Sequence, residues 1–128
     1  MAVFQFNNQT LPYETAFAPF SHDLLLLQSS KFSADFWRPV LEDLKEDTPA
    51  GGRVVTCESP LPDAETFERF LRTLGLHEIH VVAYGDAVEL VKKVAKIEPG
   101  AFEKTLLFPS GGPKPVELPR EVREFCGI

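Results

Sequence analysis

The sequence predicts an α/β fold with three layers, in which a mostly parallel sheet lies between helices and is opened by an antiparallel hairpin. Three observations predict it. The short apolar runs DLLLL, RVVTC, IHVVA and KTLLF show no polar alternation, which is how strands covered on both faces read. Between them lie segments with apolar residues at helical spacing, so the chain alternates β-α-β-α-β-α-β through short connections. Parallel strands joined in this way carry helices on both faces of the sheet. At the start, AVFQF and LPYET alternate apolar and polar residues on either side of an NNQ turn, the pattern of a hairpin with one open face.

Taken in order, the first helix follows DLLLL. Ser33 is its N-cap, and Phe36, Trp37, Val40, Leu41 and Leu44 form one apolar face. Pro39 falls inside this pattern and is placed to kink it. After the TPAGG turn, RVVTC is a strand that ends at polar Glu58, and the ESPLPD loop leads to a helix opened by Asp63. Phe67, Phe70, Leu71 and Leu74 form the buried stripe of that helix. Gly75 closes it, since a glycine adopts the left-handed backbone of a helix end without strain. IHVVA is the next strand, a helix runs from about Asp86 to Ile97, and KTLLF is the last strand. The tail PSGGPKPVELP carries four Pro and two Gly in eleven residues and reads as a loop. A short final helix, REVREFC, starts after Pro119 and puts Val122, Phe125 and Cys126 on one side, a face expected to dock on the chain's own core.

A chain of 128 residues fits one domain, here 1 to 128 with 109 to 128 as its tail, and can bury roughly two thirds of its unfolded surface. The hydrophobic share of 44% and eleven Phe against two Tyr and one Trp suit a packed core. A net charge of -6 argues against nucleic-acid binding, which relies on clustered Lys and Arg. LLLL, the longest apolar run, is far too short to span a bilayer, and MAVFQFNNQT has no secretory pattern, so the cytoplasm is the expected location, with no membrane partner. Cys57 and Cys126 lack metal-ligand spacing and read as reduced, buried or half-buried thiols. No metal and no cofactor is implied.

In a parallel sheet of this kind ligands bind beyond the carboxyl ends of the strands. The residues there are Gln28 to Ser30, Glu58 and Ser59, Tyr84 to Ala87, and Pro109 to Gly112. The most informative is the strand-to-helix break in VVAYGDAVELV, residues 81 to 91. A reactive residue on such a sharp turn needs small neighbours two positions to either side, because the strand and helix backbones approach closely.

Here the chain resembles the α/β-hydrolase family. The small-x-Ser-x-small elbow of that family corresponds to Ala83, Tyr84, Gly85, Asp86 and Ala87. LLLLQSSKFSADFWRPVLEDL is similar to the family's strand, oxyanion loop and following helix, with Gln28 and Ser29 in the His-Gly positions. RVVTCESP is similar to the next strand and its acidic loop, with Glu58 at the acidic position, and LGLHEIHVVAYGDAVELV to the helix end, strand and elbow. The resemblance covers residues 1 to about 108, roughly the family's N-terminal half, and implies a truncated version of that fold.

Register decides what the elbow offers. With Asp86 as nucleophile, Tyr84 and Val88 would crowd the turn; Ala83 and Ala87 instead flank Gly85, which has no side chain to attack a substrate. In the family the acid and the His follow the nucleophile in the chain, whereas His22, His77 and His80 all precede the elbow and read as structural or solvated. No catalytic residue is therefore assigned. The resemblance implies backbone oxyanion donors at Asp86 and at Ser29 or Ser30, and a vestigial pocket formed by Gln28, Ser29, Ser30, Glu58, Tyr84 and Asp86. Glu58 and Asp86 share one end of the sheet, but no sequence spacing sets their separation.

The family's sheet continues past KTLLF, so Thr105 to Phe108 is expected to form an exposed edge. The tail and final helix are able to fold over it, or a homodimer or other partner chain to pair with it; the homodimer is the expectation favoured here. The leading functional reading is a non-catalytic protein that acts by binding or assembly. Two others stay open: a residual or composite ester or thioester hydrolase whose partner chain supplies the acid and His, and a small-ligand binding protein using the same crevice.

Overall fold

A computed structural model describes every residue except Met1, His77, Gly111, Pro113 and Pro115. The hairpin is formed by β1 (Ala2–Phe6) and β2 (Gln9–Phe17). Its two-residue loop is Asn7 and Asn8, at φ +51° and +62°. This is the left-handed pair that a tight hairpin requires, and Asn tolerates it better than most residues.

Four parallel strands follow: β3 (Leu24–Leu27), β4 (Arg53–Cys57), β5 (His80–Tyr84) and β6 (Lys104–Phe108). The sheet order is β1-β2-β4-β3-β5-β6, with β2 antiparallel to both β1 and β4. The mostly parallel sheet with an N-terminal antiparallel hairpin is thus as the sequence predicts.

Side chains alternate across the sheet as the two-residue period of a strand demands. Leu25, Leu27, Val55, Val81 and Ala83 enter one core layer, while Leu24, Leu26, Val54, Val82 and Tyr84 enter the other. All four leucines of β3 are fully buried, each worth about 2 kcal/mol in apolar burial. That explains the unbroken run: a central strand has no face left for a polar residue.

The first layer is completed by α2 (Ala64–Thr73) and α3 (Ala87–Ile97). Asp63 caps α2 by accepting from the Thr66 N–H at 2.9 Å, and Gly75 closes it at φ +67°. The opposite layer holds α1 (Arg38–Leu44) and α4 (Leu118–Cys126). Ser33 caps a 3-10 turn, Ala34–Trp37, which leads into α1 with Pro39 in its first turn. The predicted kink is therefore a change of helix type, because proline is tolerated where the N–H needs no partner.

The C-terminal helix docks on the chain's own core through Leu118, Val122 and Cys126. Arg123 fixes its position by donating to Asp43 Oδ2 at 2.6 Å and to both carboxylate oxygens of Asp47, at 2.9 and 3.0 Å. This pairing raises the pKa of Arg123 and lowers that of Asp47, through the shared hydrogen bonds first. The helix lies on a face of the sheet and leaves β6 as an edge strand.

At the amino ends of the strands, His22 stacks between Phe20 and His80, with ring centroids 4.2 and 3.6 Å away. Among the described residues, the His22 Nε2 is buried without a hydrogen-bond partner. Burial first, then the neighbouring His80 and Lys104, lower its pKa to about 4, against a smaller opposing pull from Asp23. The native protein thus holds His22 neutral where the unfolded chain, at about 6.5, takes up a proton. Stability contributed by neutral His22 is fully present above pH 6.5 and is lost as pH falls from 6.5 towards 4. Asp47, Asp63 and Asp86 all lie below 3.8 and stay charged across that window. Denaturant titrations at pH 7.5 and 4.5 should show lower stability in acid, with a smaller difference in His22→Phe, which keeps the stack and removes the titration.

Both cysteines are free and buried. Burial raises the Cys57 thiol well above its ordinary range and Cys126 to about 12, so neither is a reactive thiolate at neutral pH. Among the described residues, no helix is long and apolar enough to cross a membrane, and no three acidic, His or Cys side chains converge in a way that could hold a metal ion.

Candidate functional site

The break after β5 has the geometry of an elbow. Tyr84 is the last strand residue, Gly85 turns the chain at φ +58°, and α3 begins at Ala87. The turn is held between strand and helix: the Gly85 N–H donates to the Phe108 carbonyl at 2.9 Å, and the Gly85 carbonyl accepts from the Val88 N–H at 3.1 Å. Ala83 and Ala87 are both buried beside it, where larger side chains would hold strand and helix apart.

The space above the turn is filled. A Cβ on Gly85 would lie 2.9 Å from the Ser29 Cβ and 3.0 Å from its Oγ, closer than unbonded atoms of this kind pack. A side chain is therefore disfavoured at residue 85 twice, by its left-handed backbone and by Ser29.

One of the backbone donors is also engaged. The Ser30 N–H donates to Asp86 Oδ1 at 2.9 Å, and the Ser30 hydroxyl donates to Oδ2. These two bonds are the main reason that Asp86 is held below the usual carboxylate pKa, with smaller contributions from the Ser29 hydroxyl and the N–H of Asp86 itself. Asp86 thus puts its own negative charge against the Ser30 N–H, one of the N–H groups expected to serve an oxyanion. Such donors stabilise a developing negative charge only when they are free to meet it.

Gln28 is a core residue. It is fully buried and donates to the Cys57 carbonyl at 2.8 Å and the Ser59 hydroxyl at 3.2 Å, while its own oxygen accepts from the Trp37 indole at 3.1 Å. Ser59 passes the link on by donating to the Phe32 carbonyl at 2.9 Å. This network ties the loop after β3 to the loop after β4. Tyr84 is 7% exposed and packs against Phe36, Trp37 and Phe108. Burial, with a smaller effect from Glu121, pushes its hydroxyl up to about 12.

Of the six residues expected in one vestigial pocket, the structure brings Ser29, Ser30 and Asp86 together and disperses the rest. Ser30 and Asp86 border a cleft of about 520 Å³ that Leu61, Leu90 and Lys93 also line. Glu58 borders a different cleft of about 380 Å³ with Glu14, Arg38 and Thr56, so the carboxylates of Glu58 and Asp86 do not face one cavity. Gln28 and Tyr84 point into core layers. Of the backbone donors expected at Asp86 and at Ser29 or Ser30, the Ser30 N–H is taken up by the Asp86 carboxylate. His22 and His80 lie at the amino ends of β3 and β5, at the far end of the sheet from Gly85; the expectation for His77 lies outside the described residues.

The chain carried no local signal for two of these contacts. Ser30 and Asp86 are 56 residues apart, and the stacking of His22 on His80 depends on β3 and β5 being neighbours.

The sequence matches no family model and no curated protein; solved structures do resemble it. A bromoperoxidase from Bacillus anthracis superposes with a TM-score of 0.65 at 20% identity, over 83% of this chain and 43% of its own. An α/β-hydrolase fold protein from Burkholderia ambifaria gives 0.66 at 18% identity, over 83% and 42%. AqDC, which recognises the Pseudomonas quinolone signal and cleaves its ring, gives 0.66 at 11% identity, over 84% and 45%. Strand order, an elbow after β5 and these superpositions agree: the chain has the α/β-hydrolase fold and spans less than half the length of these three structures.

Proposed function

We propose that this protein is a non-catalytic member of the α/β-hydrolase fold that acts by binding or assembly. One observation carries the reading: the Asp86 carboxylate sits against the Ser30 N–H beside an elbow residue, Gly85, that has no side chain. Hydrolysis through a covalent intermediate needs a nucleophile and free donors for the oxyanion. Here the first is absent, and among the second the Ser30 N–H is engaged by an internal anion. A composite enzyme, with acid and His supplied by another chain, would still meet both obstacles.

The test is hydrolysis of p-nitrophenyl acetate and of an acyl thioester by the full chain. The expected rate equals that of the heat-unfolded protein at the same concentration. Turnover by the folded protein that disappears in Asp86→Ala or Ser29→Ala would overturn the proposal.

A further inference from the structure

We propose that the stacked rings of His22 and His80 are an acid-operated latch on α4: proton uptake by His22 breaks the stack and frees the last turn of the helix, which carries Phe125 and Cys126. The latch lies at the opposite end of the sheet from the elbow, so the inference goes beyond the non-catalytic reading and does not depend on it.

Three ring contacts build it. The His22 ring lies between Phe20 and His80, nearly parallel to both, with interplanar angles of 6° and 17°. His80 is buried, with its Nδ1 3.1 Å from the Glu78 carbonyl oxygen. Its ring also meets that of Phe125, tilted by 64° with centroids 5.6 Å apart. One row of rings therefore joins the amino end of the sheet to the last turn of α4.

The backbone around His22 is pinned, so the ring is the part that moves. The Phe20 carbonyl accepts from the Gly52 N–H at 2.9 Å, and the Asp23 carbonyl accepts from the His80 N–H at 2.8 Å. Gly52 passes so close that a Cβ on it would lie 2.0 Å from the His22 carbonyl oxygen.

A proton has no place in the closed stack. An imidazolium donates from both ring nitrogens, and the buried Nε2 of His22 has no acceptor among the described residues. The surrounding charges do not compensate. His80 of β5 and Lys104 of β6 oppose a positive charge on His22, and Asp23 favours one. Asp23 is engaged with β4, however: its Oδ1 accepts from the Arg53 N–H at 2.9 Å, and its Oδ2 lies 3.6 Å from the Arg53 guanidinium. From α4, Cys126 presents a thiol that burial pushes up to about 12, so it stays neutral.

A buried charge without a partner is expelled towards water, and the half-buried His22 ring is placed to swing out. Its departure uncovers His80, the ring against which Phe125 rests. The other fastening of α4 holds, because Asp47 stays ionised in its hydrogen bonds with Arg123. Opening is thereby confined to the last turn, a local event that precedes global unfolding.

Thiol labelling of the full chain with a dipyridyl disulfide, which reacts with thiols in acid as well as at neutral pH, tests this. Cys57, fully buried in β4, reports global unfolding, and Cys126 reports the latch. With rates divided by those of glutathione at each pH, Cys126 should label about tenfold faster or more at pH 4.5 than at pH 7.5, since a freed His22 takes up its proton at about 6.5 and a stacked one at about 4. Cys57 should stay protected at both. His22→Phe, which keeps the stack without the titration, should give equal Cys126 labelling at the two pH values, whereas His22→Gln, which cannot stack, should leave it fast at both. The glutamine variant keeps the test decisive if the phenylalanine variant does not fold. Labelling of the two cysteines that rises in step, a native Cys126 rate indifferent to pH, or an acid rise that survives in His22→Phe would each overturn the proposal.

Discussion

Placing a serine at the elbow is expected to destabilise the protein and to leave it without hydrolytic activity. Gly85→Ser puts a Cβ on a backbone at φ +58°, which costs about 1 kcal/mol for a residue other than glycine. It also drives that Cβ to 2.9 Å from the Ser29 Cβ, and overpacking of this kind costs roughly 1 to 3 kcal/mol. Together they predict a loss of about 2 to 4 kcal/mol in denaturant unfolding. The two parts separate in a double-mutant cycle: adding Ser29→Gly should recover the packing part and leave the backbone part. Neither variant should hydrolyse an activated ester above background, since the Asp86 carboxylate still engages the Ser30 N–H and the described histidines lie at the other end of the sheet. A serine variant as stable as the native protein would show that Ser29 does not fill the elbow.

The second large effect is expected from Gln28→Leu, a change of similar size at a fully buried position. It strips partners from the Trp37 indole N–H and the Cys57 carbonyl. Each buried polar group left unpaired costs about 1 to 3 kcal/mol, so a loss of roughly 3 kcal/mol is expected, read by urea unfolding. The Trp37 fluorescence should also shift, because the indole loses its acceptor. Gln28→Glu is the informative companion: it keeps an acceptor for Trp37 but cannot donate to Cys57, and it buries a charge. It should be at least as damaging at neutral pH and should recover part of its stability as the carboxyl is protonated. These outcomes would place Gln28 in the architecture joining two loops and not in a ligand site.

The Ser30–Asp86 contact closes the loop after β3 onto the start of α3 and consolidates the carboxyl end of the sheet. In β6, Leu106, Leu107 and Phe108 are half-buried.

Much of this molecule was legible before any coordinates. The strands and helices announce themselves through local rules: alternation in the hairpin, unbroken apolar runs in buried strands, a three-to-four spacing in α2, and caps at Ser33, Asp63 and Gly75. The elbow was legible for the same reason, since Ala83 and Ala87 lie within two residues of Gly85 and the steric demand of the turn is local. Tertiary structure alone decided what the elbow contains. Ser29 fills the space above Gly85, Asp86 turns back onto Ser30, Glu58 belongs to another cleft, and His22 meets His80. Each of these depends on which strands are neighbours in the sheet. Backbone conformation and burial period are encoded over a few residues, whereas the partner of a polar side chain is set by chain crossings tens of residues long, and no local pattern records it.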